Sequence, residues 1–297
     1  MPIVVVEGVA PVASWRPPEA LTYHRTLPLP PYTSLVGTLG AALGRALPEA
    51  YRFVSARGIR LGVGGWHEGQ ARDLWKYQKL ESVADPKKEI KTDVLLREHW
   101  IDVRLVLVVE TPDLPTAEAV ADGFRRPSFP LTAGPSDALM KAVAVRVEDG
   151  ETRPSRRLAY SMVYDELPPR YKLAEGWDEI PLTRVIRAPT VERLPTGFSF
   201  EPDSPRRLLG RGPVTFVADP IVLGDDVEPV VGYPVEPQSR ALRESPVFLT
   251  LKEGLPWIIP VHRYGSPPTP EASSSTTPSP SARTTRRGKR DSPTGGT

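Results

Sequence analysis

Between Thr22 and Gly44 the chain runs from an extended, basic-aromatic, proline-rich segment straight into a helical pattern bearing three glycines, Gly37, Gly40 and Gly44. A glycine inside a helix costs about 1 kcal/mol against alanine, so each one needs a reason to be there. At roughly 100° per residue, Gly37, Gly40, Ala41 and Gly44 share one side and form a strip without side chains. Leu35, Val36, Leu39, Leu43 and Leu47 cover the adjacent sector and read as core. Thr38 and Arg45 face away from these apolar neighbours. The strip lets another backbone, or a ligand, approach closely. The spacing predicts a helix over 34–47, capped by Thr33 or Ser34 and closed by Pro48.

Thirty-six prolines in 297 residues favour short extended pieces and loops over long helices. The absence of cysteine excludes disulfides, iron–sulfur clusters and thiolate zinc sites. The four histidines, His24, His67, His99 and His262, are scattered without an HxxxH pair, so neither a metal nor a cofactor is expected. The net charge of +2 is unevenly placed. The Ser/Thr/Pro/Gly-rich stretch 265–297 holds Arg283, Arg286, Arg287, Lys289 and Arg290 against Glu271 and Asp291. It has almost no apolar residues to repay ordering entropy and reads as a disordered basic tail. No signal-peptide pattern opens the chain, and no apolar run approaches the ~18 residues of a membrane span. A cytosolic protein without membrane contact is expected.

Along the chain, residues 3–6 read as a buried strand, 59–63 as a second and 100–110 as the strongest, with Val103, Leu105, Leu107 and Val109 on one face. A short amphipathic helix is predicted over 114–124 and another strand over 142–147. Residues 66–98 form a charged insertion with equal numbers of basic and acidic residues. Its two arms flank the turn signal Asp85-Pro86-Lys87-Lys88. Residues 1–150 thus read βαββαβ with a long insertion, an α+β class of ferredoxin-like (RRM-like) domain. No K/R-G-F/Y-G/A-F-V-x-F/Y stacking motif lies on the central strands, so a standard RNA-recognition motif is not supported. Residues 151–264 carry strand-like pieces at 158–163, 183–187, 213–218 and 247–251, a smaller β-rich second lobe.

The order of features carries a resemblance. A strand leads to the Tyr/Arg segment, then to a Pro-Pro-x-Thr-Ser-x-x-Gly-x-x-Gly-Ala-x-x-Gly helix and a hairpin insertion. A strand opening Arg97-Glu98-His99-Trp100-Ile101-Asp102-Val103 follows, and later Leu131-Thr132-Ala133-Gly134-Pro135-Ser136-Asp137-Ala138-Leu139. Over about residues 4–147 this resembles the fifth family of CRISPR-associated (Cas) proteins, RAMP-type subunits of type I Cascade complexes. The resemblance implies a subunit that caps the complex and holds the 5′ handle of CRISPR RNA. Its hairpin, here about 72–97, would act as a thumb beside the first backbone subunit. The large subunit, and target DNA reached through the complex, are the further partners implied.

RNA phosphates need cationic donors, and splayed bases need flat faces on which to stack. The hairpin offers Arg72, Lys76, Lys79, Lys87, Lys88, Lys91 and Arg97, interleaved with Trp75 and Tyr77. The same residues also suit a solvated, salt-bridged hairpin. Ahead of the glycine helix, Tyr23, His24 and Arg25 read as RNA contacts or as a core aromatic with a surface charge. Backbone N–H groups at the helix start, near Thr33 to Val36, could receive a phosphate, and Thr33, Ser34 and Gly37 are expected RNA contacts. By resemblance alone, Arg125, Arg126 and Ser136 lie where the family binds handle nucleotides. One branch of the family cuts precursor CRISPR RNA without metal, using a tyrosine, a lysine and a histidine. Tyr23, His24 and Lys76 are the possible parts here, although no adjacent Lys-His pair follows the hairpin. Three readings result: a non-catalytic RNA-binding subunit, a metal-independent endoribonuclease, and an α+β domain unrelated to RNA.

Overall fold

A computed structural model describes residues 1–79, 91–174, 187–201, 206–245, 247 and 257–263. The first half contains β1 (Pro2–Ala13), β2 (Tyr23–His24), α1 (Tyr32–Leu43), α2 (Leu47–Arg57), β3 (Arg60–Lys79), β4 (Lys91–Glu110), α3 (Leu114–Arg125) and β5 (Lys141–Asp149). The chain is a mixed α/β protein, mostly antiparallel sheet with few helices. Strands β5, β1, β4 and β3 lie side by side in that order, each antiparallel to its neighbour.

Strand alternation explains why this sheet is covered on both sides. Val4 and Val6 of β1, with Val103, Leu105, Leu107 and Val109 of β4, face the helices and join Leu35, Leu39, Val54 and Phe124 in one core. Ile3, Val5, Val106 and Val108 point the other way, into a second core with Trp66, Tyr160, Tyr233 and Trp257. The sheet's outer face is therefore closed by the chain's own later residues, which leaves no bare stacking platform there.

The glycine helix differs from expectation at both ends. It begins at Tyr32 after Pro31, so Thr33 and Ser34 are inside it and neither caps it. Its C-cap is Gly44 in the left-handed region at φ 68°, a conformation glycine adopts at little cost. Pro48 does not close this helix. It sits in the first turn of α2, where a missing N–H is harmless. The side-chain-free strip also divides. A Cβ on Gly40 would lie 2.8 Å from Cβ of Ala50, so α2 packs on it, whereas nothing lies within 4 Å of one on Gly37. The α3 reading holds, with the Asp113 carboxylate accepting from Thr116 N at 2.7 Å.

Strands β3 and β4 are twenty residues each and keep one register from Arg60↔Glu110 to Lys79↔Lys91. Within the charged segment, residues 66–79 and 91–98 are thus the far halves of two core strands. Trp66, at its expected start, is buried in the second core. At Asp102, whose φ is 53°, pairing lapses on both sides. Val103 pairs with Ala10 and His67, and Ile101 with Val12 and Gly69, but Asp102 pairs with neither Pro11 nor Glu68, which stand opposite it.

The later residues form β6 (Arg153–Ser155), β7 (Arg157–Leu158), β8 (Ser161–Val163), β9 (Tyr171–Leu173), β10 (Thr190–Ser199), β11 (Arg207–Val217), β12 (Ile221–Leu223) and β13 (Val230–Val235). The short helix α4 (Arg240–Arg243), β14 (Trp257–Ile259) and β15 (His262–Arg263) follow. Strands β8, β11 and β10 extend the main sheet beyond β3. The strand expected over 158–163 is broken at Tyr160, where φ is 44°. The piece at 213–218 is the end of the longer β11. Of the pieces at 183–187 and 247–251, only Arg187 and Val247 are among the described residues, and the tail lies outside them.

Candidate nucleic-acid interface

The two-residue strand β2 pairs in parallel with β4, Tyr23 facing Leu96 and His24 facing Arg97. Adjacent strand residues point to opposite faces. Tyr23 accordingly reaches one side of the hairpin, where its hydroxyl donates to Oε1 of Glu98 and Arg72 lies 5.9 Å from its ring. The buried Glu98 carboxylate also accepts from Thr26 N and from Arg72, each at 3.2 Å. The hydrogen bond to Glu98, followed by burial, raises the Tyr23 hydroxyl above its ordinary pKa.

His24 emerges on the other side, 6.3 Å from the Trp75 ring. There Trp75 and Tyr77 stack at 5.3 Å, and the Arg97 guanidinium lies 4.8 Å from the Trp75 centroid. Arg97 is held by the Asp73 carboxylate directly across the ladder, through contacts of 3.1 and 2.8 Å. That bond lowers the pKa of Asp73 and raises that of Arg97. His99 reaches the same carboxylate at 3.3 Å, and Asp137 lies 3.8 Å from Arg97. Burial first, then the Arg16 and Arg97 cations, lowers the pKa of His24.

The exposed loop carrying Ser136 is fastened beside this cluster. Gly134 at φ 113° passes so close to Ser14 that a Cβ would sit 1.9 Å from its carbonyl oxygen. Arg25 does not stand free: Glu192 of β10 takes its guanidinium at 2.6 and 2.9 Å, and Glu19 adds a contact at 3.0 Å. Lys76 is exposed on the side of the hairpin that carries Arg72. Lys79 and Lys91 are the last rung of the ladder, and Lys87 and Lys88 lie outside the described residues.

The other expected contacts do not gather here. Tyr32, the first residue of α1, packs edge-on against His262, which pairs with Leu61. The helix start, with Thr33, Ser34 and Gly37, thus lies toward the end of β3 opposite the hairpin arms. Arg125 bonds Asp122 and the Val145 carbonyl on the α3–β5 side, and Arg126 is exposed next to it. The possible catalytic trio is divided, since Tyr23 and His24 occupy opposite sides of the ribbon. Arg16, Asp73, Glu98, His99 and Asp137 join the site without having been among the expected contacts. Glu98, His99 and Asp137 stand within the two segments that carry the family resemblance, and Asp73 within the alternation of charge with aromatics along the arms. Among the described residues there is no cluster of three or more potential metal-binding side chains, and no helix is long and apolar enough to cross a membrane.

Comparison with known proteins bears on this arrangement. Residues 3–177, more than half of the chain, match the model of the family described as CRISPR-associated protein (Cas_Cas5). The chain belongs to that family, and its role is in CRISPR–Cas function. No curated protein sequence matches it significantly. Among solved structures it is similar to a Cas protein at 22% identity and a TM-score of 0.30, over 45% of this chain and 57% of that one. It is also similar to a chain of a CRISPR RNA-guided surveillance complex at 18% identity and a TM-score of 0.42, over 76% and 90% of the two chains. For a CRISPR protein from Archaeoglobus fulgidus the values are 8% and 0.44, over 89% and 100%.

Proposed function

We propose that this protein is a non-catalytic subunit of a type I Cascade effector complex. In this reading its β3–β4 hairpin binds the 5′ handle of CRISPR RNA and anchors the first backbone subunit. The large subunit and target DNA are met through the assembled complex. The carrying observation is the Tyr77–Trp75–Arg97 stack on a hairpin that projects from the sheet. Stacked aromatics and a guanidinium plane are the groups that take up splayed bases and a backbone phosphate together. The order β5-β1-β4-β3 supports reading residues 1–150 as a ferredoxin-like RAMP domain with this hairpin as its thumb. The division of Tyr23 from His24 favours binding over cleavage.

Purified protein incubated in EDTA with labelled RNA of the CRISPR repeat tests the reading. Retention of intact RNA, and RNA-dependent co-purification with neighbouring Cascade subunits, is the expected result. Site-specific cleavage that disappears in His24→Ala would replace it with the endoribonuclease. Absence of both RNA binding and co-purification would remove both.

A further inference from the structure

Arg16 lies in the Trp15-Arg16-Pro17-Pro18 loop after β1, and its guanidinium meets Nε2 of His24 at 2.9 Å. A guanidinium is a donor only and stays charged at any working pH. Nε2 is therefore the bare acceptor nitrogen, and the ring hydrogen sits on Nδ1. Nδ1 has no acceptor among the described residues. Unlike the orphaned Nδ1 of His99, it is not sealed from solvent. The surrounding charges reinforce this state. Arg97 of β4 opposes a second proton, while the nearby Asp73 carboxylate of β3 is committed to Arg97 and His99. Glu98 of β4 is engaged with Tyr23, Thr26 and Arg72.

Resting on the RNA-binding reading above, we propose that Arg16 is a positioning residue that locks His24 as the neutral Nδ1–H tautomer. The base of the hairpin then offers a bound strand a directed hydrogen-bond donor beside Trp75 instead of another cation. A neutral donor selects a base-edge acceptor, such as a carbonyl oxygen or ring nitrogen. An imidazolium in its place would attract any phosphate and blur that choice. Arg16 thereby acts on selectivity more than on gross affinity.

Imidazole titration by NMR in the full-length chain reads the lock without RNA. Arg16→Gln is expected to move the His24 midpoint to higher pH. Arg16→Lys, which still donates and repels, should leave it near the wild-type position. In the RNA arm, affinities for a labelled repeat RNA and an unrelated RNA of equal length are measured between about pH 7.5 and 5.5, the range over which histidine charges. Arg16→Gln should gain affinity on acidification severalfold more than wild type and lose preference for the repeat RNA. An unmoved midpoint overturns the lock. A moved midpoint with wild-type pH profile and preference overturns its role in selection. Failure of the wild-type chain to bind either RNA overturns the function on which that role rests, and the titration still reports separately on the lock.

Discussion

Arg97 spans two partners at once, its guanidinium 4.8 Å from the Trp75 ring and 2.8 Å from the Asp73 carboxylate. The pair with Asp73 fixes the plane of the guanidinium, and that plane in turn supports the indole. Trp75 remains 40% exposed, so its energetic stake in the free protein is small compared with its availability to a ligand. Replacing Trp75 and Lys76 together by alanine should weaken RNA-dependent complex assembly far more than it lowers the melting temperature. Parallel losses in the two measurements would mark the hairpin as part of the core.

The glycines of α1 should respond with opposite sign. Gly37→Ala meets open space and should stabilise the protein by up to about 1 kcal/mol through helix propensity. Gly40→Ala pushes a methyl group against Ala50 and the Arg45 carbonyl and should destabilise by about 1–3 kcal/mol. Urea-unfolding midpoints of both variants decide the matter. Equal stabilisation would mean that α2 does not rest on the strip.

Glu7 is fully buried in β1, where it accepts from Arg146 at 2.7 Å and from the backbone N–H groups of Gln238 and Ser239 at 2.7 and 2.8 Å. It fastens the late segment around Gln238 to the main sheet. Glu7→Ala leaves two amides without their acceptor, while Arg146 keeps the Glu148 carboxylate and the Glu236 carbonyl, and should cost about 2–4 kcal/mol. Thermal or urea unfolding reads this. A change below about 1 kcal/mol, the range of a surface pair, would show that the segment is held by other contacts.

Acid should weaken the fold through His262. Burial lowers its pKa from 6.5 to about 4, so the native state keeps the ring neutral while the unfolded chain protonates it. The unfolded state thus binds the extra proton between these values. Stability falls as pH drops through that window, by up to about 1.4 kcal/mol per pH unit from this group. His262→Phe should flatten the corresponding part of the stability–pH curve. An unchanged slope would assign the acid sensitivity elsewhere.

Much of the first half was legible because strand alternation and helical spacing are local. Val103, Leu105, Leu107 and Val109 read as one face, and amphipathic spacing over 114–124 marked α3. The hairpin register was not legible. A turn centred on Pro86 and Lys87 would set Asp73 against Trp100, yet Asp73 stands opposite Arg97, which is what assembles the stack with Trp75. Helix α2 was hidden because Pro48 serves equally as a stop and as a first-turn residue. Arg16 and Glu98 were hidden because their partners, His24 and Tyr23, are brought to them by a strand of only two residues. No periodicity reveals so short a pairing.

The lapse in pairing at Asp102 has a mechanical consequence. Pro11 has no N–H to give, and on the β3 side Asp102, left-handed at φ 53°, is not paired with Glu68, its carbonyl accepting instead from Arg104. One row across β1, β4 and β3 therefore lacks the cross-links that stiffen the rest of the ribbon. That row divides the core-packed ends of β3 and β4 from their charged arms. Backbone amides flanking that row should therefore exchange with solvent faster than those of the rows on either side, and uniform protection along β4 would show that the missing rungs do not soften it.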